Sequence, residues 1–332
     1  MKKFLLFLIT INLLNSQMLK KLEEEIQEIY KKINPSLFEL KFKNLWTTGF
    51  SFDKERLITI LPQVEENESI LFFDKDGNEY KGEIEGWDEF TKIAIIKTTK
   101  ELRIPEFAKF DENLPKIALS FSLKGKGSFL ILPIYEENNG KIFIETKIPP
   151  SFSGAPIVNH EGKIFGILRG GKIDFDIIEK IETKKLKEKL PYFYYQFNLP
   201  HTTIGYTYDY ILKRVNLMKE KGKIYEGFLG ILVDYKEGEG LKVNKVLQNS
   251  PAEKAGLRED DIIVSYDEKK YHNVKDFVYD VKSTPSNSEV KMEIKREGVI
   301  KTIKVKLGRK EKKFKIKHEK KFKDLLKLWI LE

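Results

Sequence analysis

The chain contains no cysteine, so neither a disulfide framework nor a thiolate metal site can form. Only four histidines are present, His160, His201, His272 and His318, too few and too dispersed for a histidine-rich metal centre. No metal or cofactor is therefore expected. Low-complexity tracts are absent, and the prolines and glycines are scattered. The most apolar stretch, 4–14, falls short of the roughly 20 residues a spanning helix needs. It follows Lys2-Lys3 and precedes Asn15-Ser16-Gln17, a basic segment and an apolar segment of signal-peptide length. Leu14 and Ser16 stand where a cleavage site would carry small residues. Residues 1–17 thus read as a signal peptide or a retained anchor, and the protein as exported to the periplasm or cell envelope.

Charge is also unevenly spread. Of the net +9, most lies in 309–332, where ten Lys/Arg face four acids. The rest is close to neutral, which argues against nucleic acid as a partner. The tail carries Phe322, Leu325, Leu326, Leu328, Trp329 and Ile330 at helix-like spacing. It reads as a basic amphipathic segment that packs on the protein or, together with the N-terminal anchor, touches a membrane surface.

Leu19, Leu22, Ile26, Ile29 and Ile33 predict a helix over 18–33, stopped by Asn34-Pro35-Ser36. From 37 to 190 the pattern changes to short apolar or alternating runs, among them 57–61, 69–73, 93–97, 116–121, 129–134, 141–146 and 163–168. Turn signals such as Asp76-Gly77-Asn78 and Asn138-Asn139-Gly140 separate them, which predicts a β-barrel or sandwich. A linker with one helix, closed by Gly222, occupies 191–224. A mixed α/β unit then runs from 225 to 308. In it Ser250-Pro251-Ala252-Glu253 forms a capping box, and Asn273 caps a helix carrying Val274, Phe277, Val278 and Val281.

The chemistry-bearing stretch is Ser151-Phe152-Ser153-Gly154-Ala155-Pro156, which opens an apolar strand. A serine on a tight turn beside backbone N–H groups is how a nucleophile and its oxyanion hole are held, although Ser, Gly and Pro also build ordinary surface turns.

Residues 225–308 resemble a bacterial, circularly permuted PDZ domain, on Gly227-Phe228-Leu229-Gly230-Ile231 and on the run from Ser250 to Ile263. The chain as a whole, from about 22 to 308, resembles the HtrA/Deg family. That likeness implies a mostly β fold: a chymotrypsin-like double β-barrel followed by a PDZ domain. It makes Ser153 the nucleophile position and the N–H groups of Ser151 and Ser153 the oxyanion donors. It also implies peptide binding by Phe228, Leu229, Gly230 and Ile231, with Val274, Phe277, Val278 and Val281 lining the groove. A homotrimer is implied as well.

Three departures bear on activity. Pro62 or Gln63 stands where the family keeps its histidine, and Lys92 stands where it keeps its aspartate. Ser151 replaces a glycine, where a positive φ would strain a serine. Asp88 matches a separate acidic position and does not replace the missing acid. The expectation is a pseudoprotease that binds unfolded proteins or exposed C-termini in envelope quality control. The alternatives are an active serine endopeptidase in which Lys92 serves Ser153 as base, and a PDZ scaffold with a purely structural barrel. The histidine of the Asn159-His160-Glu161-Gly162 turn reads as a surface residue.

Overall fold

The computed structural model describes residues 2–43, 45–65, 68–110, 117–123, 127–145, 148–171 and 202–310. The expected linker residues before 202 and the tail beyond 310, with His201 and His318, lie outside them. The chain divides into two compact units, Met1–Ile224 and Tyr225–Glu332.

The first unit opens with helix α1 (Lys2–Ile33), followed by a 3-10 turn over Asn34–Ser36. The helix begins well before residue 18, because no Pro or Gly interrupts the sequence between Lys2 and Ile33. Its buried stripe is Ile26, Ile29 and Ile33, whereas Met18, Leu19 and Leu22 stay exposed. Among the described residues no helix is long and apolar enough to cross a membrane.

Six strands build the first barrel: β1 (Leu37–Phe42), β2 (Leu45–Ser51), β3 (Arg56–Ile60), β4 (Ser69–Phe73), β5 (Glu79–Asp88) and β6 (Ile93–Lys97). Their order is β5-β4-β1-β2-β3-β6, and pairing of β5 with β6 closes the ring. Strands β7 (Ile117–Ser122), β8 (Ser128–Asn138), β9 (Lys141–Glu145), β10 (Pro156–Val158), β11 (Ile164–Gly171) and β12 (Thr202–Thr207) form a second closed barrel, ordered β10-β11-β12-β9-β8-β7. Closure leaves neither barrel with an open edge to template aggregation. The β8–β9 hairpin turns at Asn139 and Gly140, both with positive φ (53° and 79°), as a two-residue turn matched to strand twist requires.

A shared apolar core joins the barrels. It combines Ile26, Ile29 and Ile33 with Phe50, Ile58 and Ile60 of the first barrel and Phe121, Val158 and Ile167 of the second. Helix α2 (Tyr208–Lys221) adds Ile211, Val215 and Met218 to it. Thr207 caps that helix through Tyr210 N–H, and Gly222 at φ 70° ends it. The next residues, β13 (Lys223–Ile224), pair in parallel with Trp87 and Asp88 at the end of β5.

The second unit is a five-stranded antiparallel sheet in the order β14 (Ile231–Lys236), β15 (Gly240–Val246), β16 (Ile262–Tyr266), β17 (Glu289–Arg296) and β18 (Val299–Lys306). Two helices accompany it, α3 (Pro251–Lys254) and α4 (Val274–Ser283). Ser250 accepts a hydrogen bond from Glu253 N–H, and Glu253 accepts one from Asn249 N–H, so the predicted cap is built from both ends. The core holds Leu229, Leu241, Val243, Phe277, Val281, Val290, Met292, Ile294 and Val305.

Candidate functional sites

The turn carrying Ser153 begins as a 3-10 turn over Pro150–Phe152, in which Phe152 N–H bonds Pro149 C=O at 2.9 Å. Ser151 lies within it and is not among the residues with positive φ. The strain expected at this serine is therefore avoided, because the turn winds helically where a glycine-bearing one would flip. Positive φ falls instead on Gly154 (81°) and on Gly170 (97°).

Gly154 is required by space as well as by conformation. A Cβ there would overlap the Thr48 carbonyl oxygen and sit 2.5 Å from Thr59 Oγ1 and 2.9 Å from Ile60 N. The turn is thus pressed against β2 and the end of β3.

A set of buried hydroxyls seals that contact. Thr48 N–H donates to Ser153 C=O at 3.0 Å, and Thr47 Oγ1 donates to the same oxygen. Thr48 Oγ1 donates to Ser151 C=O (2.6 Å) and lies 2.9 Å from Ser122 Oγ, while Thr59 Oγ1 donates to Thr48 C=O (2.7 Å). Sequence reasoning singled out none of Thr47, Thr48 and Thr59 for this role. The only available signal was three threonines in barrel strands on either side of Gly49.

Ser153 itself is buried, 6% exposed, and its hydroxyl donates to Arg169 C=O at 3.2 Å. Among the described residues no nitrogen base touches Ser153 Oγ. Pro62 and Gln63 follow directly on β3, whose Thr59 and Ile60 flank Gly154, so the sequence-predicted histidine position lies on the segment leaving this joint. Proline offers no side-chain acceptor there.

Lys92 is 9% exposed and held at φ 66°. Its N–H donates to Asp88 C=O at 2.7 Å, and its own C=O accepts from Leu61 N–H at 2.8 Å. The ammonium does not reach Ser153. It lies 5.3 Å from the centre of the Trp87 ring, within cation–π range, and the Trp87 indole donates to Leu61 C=O at 3.0 Å. Asp88, fully buried, accepts from Phe90 N–H (3.0 Å) and from Arg214 Nε of α2. That carboxylate is a structural joint. His160 is exposed in its turn, where Lys32 Nζ donates to the neighbouring Glu161 C=O at 3.2 Å. His272 belongs to the other unit.

In the second unit the loop before β14 has two faces. Its carbonyls are committed: Phe228 C=O accepts from Gly308 N–H (2.9 Å), Leu229 C=O from Ala252 N–H (3.0 Å) and Gly230 C=O from Leu247 N–H (2.9 Å). Phe228 N–H is also used, by Gly308 C=O at 2.9 Å. The N–H groups of Leu229 and Gly230 donate to no described residue. Gly230, at φ 85°, lets the chain turn so that these adjacent donors sit beside the start of β14.

Among the described residues strand β14 is an edge, paired only with β15. Of the four apolar residues expected to line the groove, Phe277 and Val281 are core residues, 2% and 6% exposed, and Val274 packs partly buried against them. Val278 is 40% exposed and is the one that looks outward. Ile231 and Val233 are half-buried against the same core. Among the described residues no group of acids and histidines could hold a metal ion.

Residues 227–307 match the PDZ domain family. Over 260 residues the chain is 25% identical to a probable periplasmic serine endoprotease, DegP-like, of Chlamydia trachomatis, covering 69% of this chain and 46% of that protein. It is 25% identical over 301 residues to the serine protease Do-like HtrA of Bacillus subtilis, covering 80% and 64%. The chain spans about half the length of the curated relatives it matches. Among solved structures, the serine endoprotease from Yersinia pestis superposes with a TM-score of 0.61 at 16% identity, over 86% of this chain and 98% of that one. The HtrA-type protease AlgW, determined with a decapeptide, gives 0.62 at 16% identity, over 85% and 98%.

Proposed function

We propose that the chain, which resembles the HtrA/Deg family in its pair of barrels followed by a PDZ domain, is a pseudoprotease that binds exposed C-termini of other polypeptides. The observation that carries the first half is the state of Ser153. Its hydroxyl proton is directed at a backbone carbonyl, proline stands at the base position, and the lysine at the acid position turns to Trp87. Serine attack needs a general base within hydrogen-bond reach. What remains without one is about 10³–10⁴-fold over water, far below a working protease.

The second half is supported by the paired N–H donors of Leu229 and Gly230 at the head of an open strand edge. A terminal carboxylate fits those donors, and the chain preceding it extends the sheet by adding antiparallel to β14. Such a protein serves as an adaptor or holdase for unfolded chains. The naming of several relatives as periplasmic supports an envelope location.

A fluorophosphonate probe tests the first half. Ser153 should stay unlabelled in the folded protein. Labelling that is abolished by both Ser153→Ala and Lys92→Met would establish an active endopeptidase instead. Titration with apolar C-terminal peptides tests the second half: free acids should bind, and their C-terminal amides should not.

A further inference from the structure

We infer that this groove selects ligands by an outward-facing register, taking a basic residue at the fourth position from the ligand's C-terminus and an apolar one at the penultimate position. The inference rests on carboxylate capture by the Leu229 and Gly230 N–H groups. If the terminal carboxylate sits there, the last ligand residue lies opposite Ile231 and the chain runs antiparallel along β14. The penultimate residue then faces Leu232, the third from last Val233, and the fourth from last Asp234.

Side chains alternate along a strand. Ile231 and Val233 turn toward the core and α4, whereas Leu232 and Asp234 project from the opposite face. Leu232 is 57% exposed, an apolar surface beside the penultimate ligand side chain. Asp234 is exposed and accepts one hydrogen bond, from Asn244 Nδ2 at 2.5 Å, which fixes the carboxylate without neutralising it.

Two of the nearby cations are committed elsewhere. Lys242, directly opposite Asp234 on β15, pairs with Asp260 at 2.7 Å, and Lys236 pairs with Glu239 at 3.0 Å. Lys245 lies opposite Leu232, two residues along β14 from Asp234, and makes no ion pair with it. Among the described residues no cation pairs with Asp234. A lysine or arginine on an added strand would be its direct cross-strand neighbour, and opposite charges in that geometry attract while like charges repel.

The test uses the full chain and dye-labelled hexapeptides ending in three apolar residues, with Lys, Ala or Glu at the fourth position from the end, each as free acid and as amide. Lys should bind about threefold tighter than Ala and Glu about threefold weaker, the range of an exposed ion pair. Raising the salt to about 1 M should compress the difference. Asp234→Lys should invert the order, and replacing the penultimate apolar residue by Asp should weaken binding to wild type.

Equal binding of Lys and Glu peptides, or an unchanged order with Asp234→Lys, overturns the selectivity while amides still fail to bind. Equal binding of acids and amides, or no binding at all, overturns carboxylate capture itself and the register with it.

Discussion

Replacing Gly154 by alanine separates two costs that usually come together. Gly154 and Gly77 have nearly the same backbone, φ 81° and 82°. An alanine at either must hold a left-handed conformation, at roughly 1–2 kcal/mol, offset by about 0.4–1 kcal/mol of lost freedom in the unfolded chain. The surroundings differ completely. Nothing lies within 4 Å of a Cβ at Gly77, whereas at Gly154 the Thr48 carbonyl, Thr59 Oγ1 and Ile60 N are all within 3 Å. Two of those three atoms are barrel backbone and cannot rotate away, so overpacking adds about 1–3 kcal/mol. Gly77→Ala should therefore cost about 1 kcal/mol and Gly154→Ala about 2–4 kcal/mol. For a unit of this size the melting temperature should fall by about 2–4 °C in the first case and about 4–16 °C in the second. Calorimetric melts of both variants provide the comparison. If the two melt alike, the turn is not pressed against β2 and β3, and the account of how Ser153 is held fails.

Three further outcomes follow from named contacts. Arg214→Met strands the buried Asp88 carboxylate and should cost about 3–5 kcal/mol by urea denaturation, whereas Asp88→Asn combined with Arg214→Met should recover much of it; equal losses would show the pair is not buried in effect. Burial pushes the Asp261 carboxyl up, but hydrogen bonds from Arg296 (2.7 and 2.8 Å) and from Arg258 N–H (2.8 Å) outweigh it and hold it below the usual range. Since the folded value is the lower one, its contribution is complete above the unfolded value of about 3.9 and is lost as pH falls through the folded value. Asp261→Asn should remove that acid limb from chemical denaturation curves, and identical limbs in variant and wild type would contradict it. Finally, Pro62→His with Lys92→Asp should raise fluorophosphonate labelling of Ser153 by about 10²-fold or more, the contribution of a general base; a folded double variant that stays unlabelled would mean the turn itself is incompetent.

Much of the fold was legible because its strands carry their own pattern. The runs at 69–73 and 93–97 became strands with those same limits. Strand β5 was not singled out, since Glu79-Tyr80-Lys81-Gly82-Glu83 is polar and only its barrel partners make it a strand. In α4 the four apolar residues look equivalent in sequence. At 100° per residue, however, Val274, Phe277 and Val281 form one stripe and Val278 falls on its shoulder, which the burial bears out. The site was legible in its chemistry-bearing positions but not in its supports. Thr47 and Thr48 are ordinary strand threonines until packing of the two barrels brings their hydroxyls to carbonyls of a turn about a hundred residues away, and Thr59 then holds the Thr48 carbonyl from the neighbouring strand.

If the chain is a pseudoprotease as proposed, those supports explain how the Ser153 turn could persist without catalysis. The carbonyls of Thr48, Ser151 and Ser153 lie in or beside the buried joint between barrels, and each would cost about 1–3 kcal/mol if left unsatisfied. The three threonines satisfy all of them, and Gly154 is the only residue type that fits where they converge. The turn therefore holds the barrels together whether or not Ser153 reacts. Pro62 and Lys92 carry no such duty. Pro62 is half-buried on the segment leaving β3, and Lys92 sets its ammonium against Trp87 while its two backbone hydrogen bonds do not involve its side chain. On the proposed reading, substitution at those two positions would remove the chemistry at little structural cost, whereas substitution in the turn would loosen the joint. A serine in a protease-like setting is then expected from packing alone, and activity has to be argued from the base.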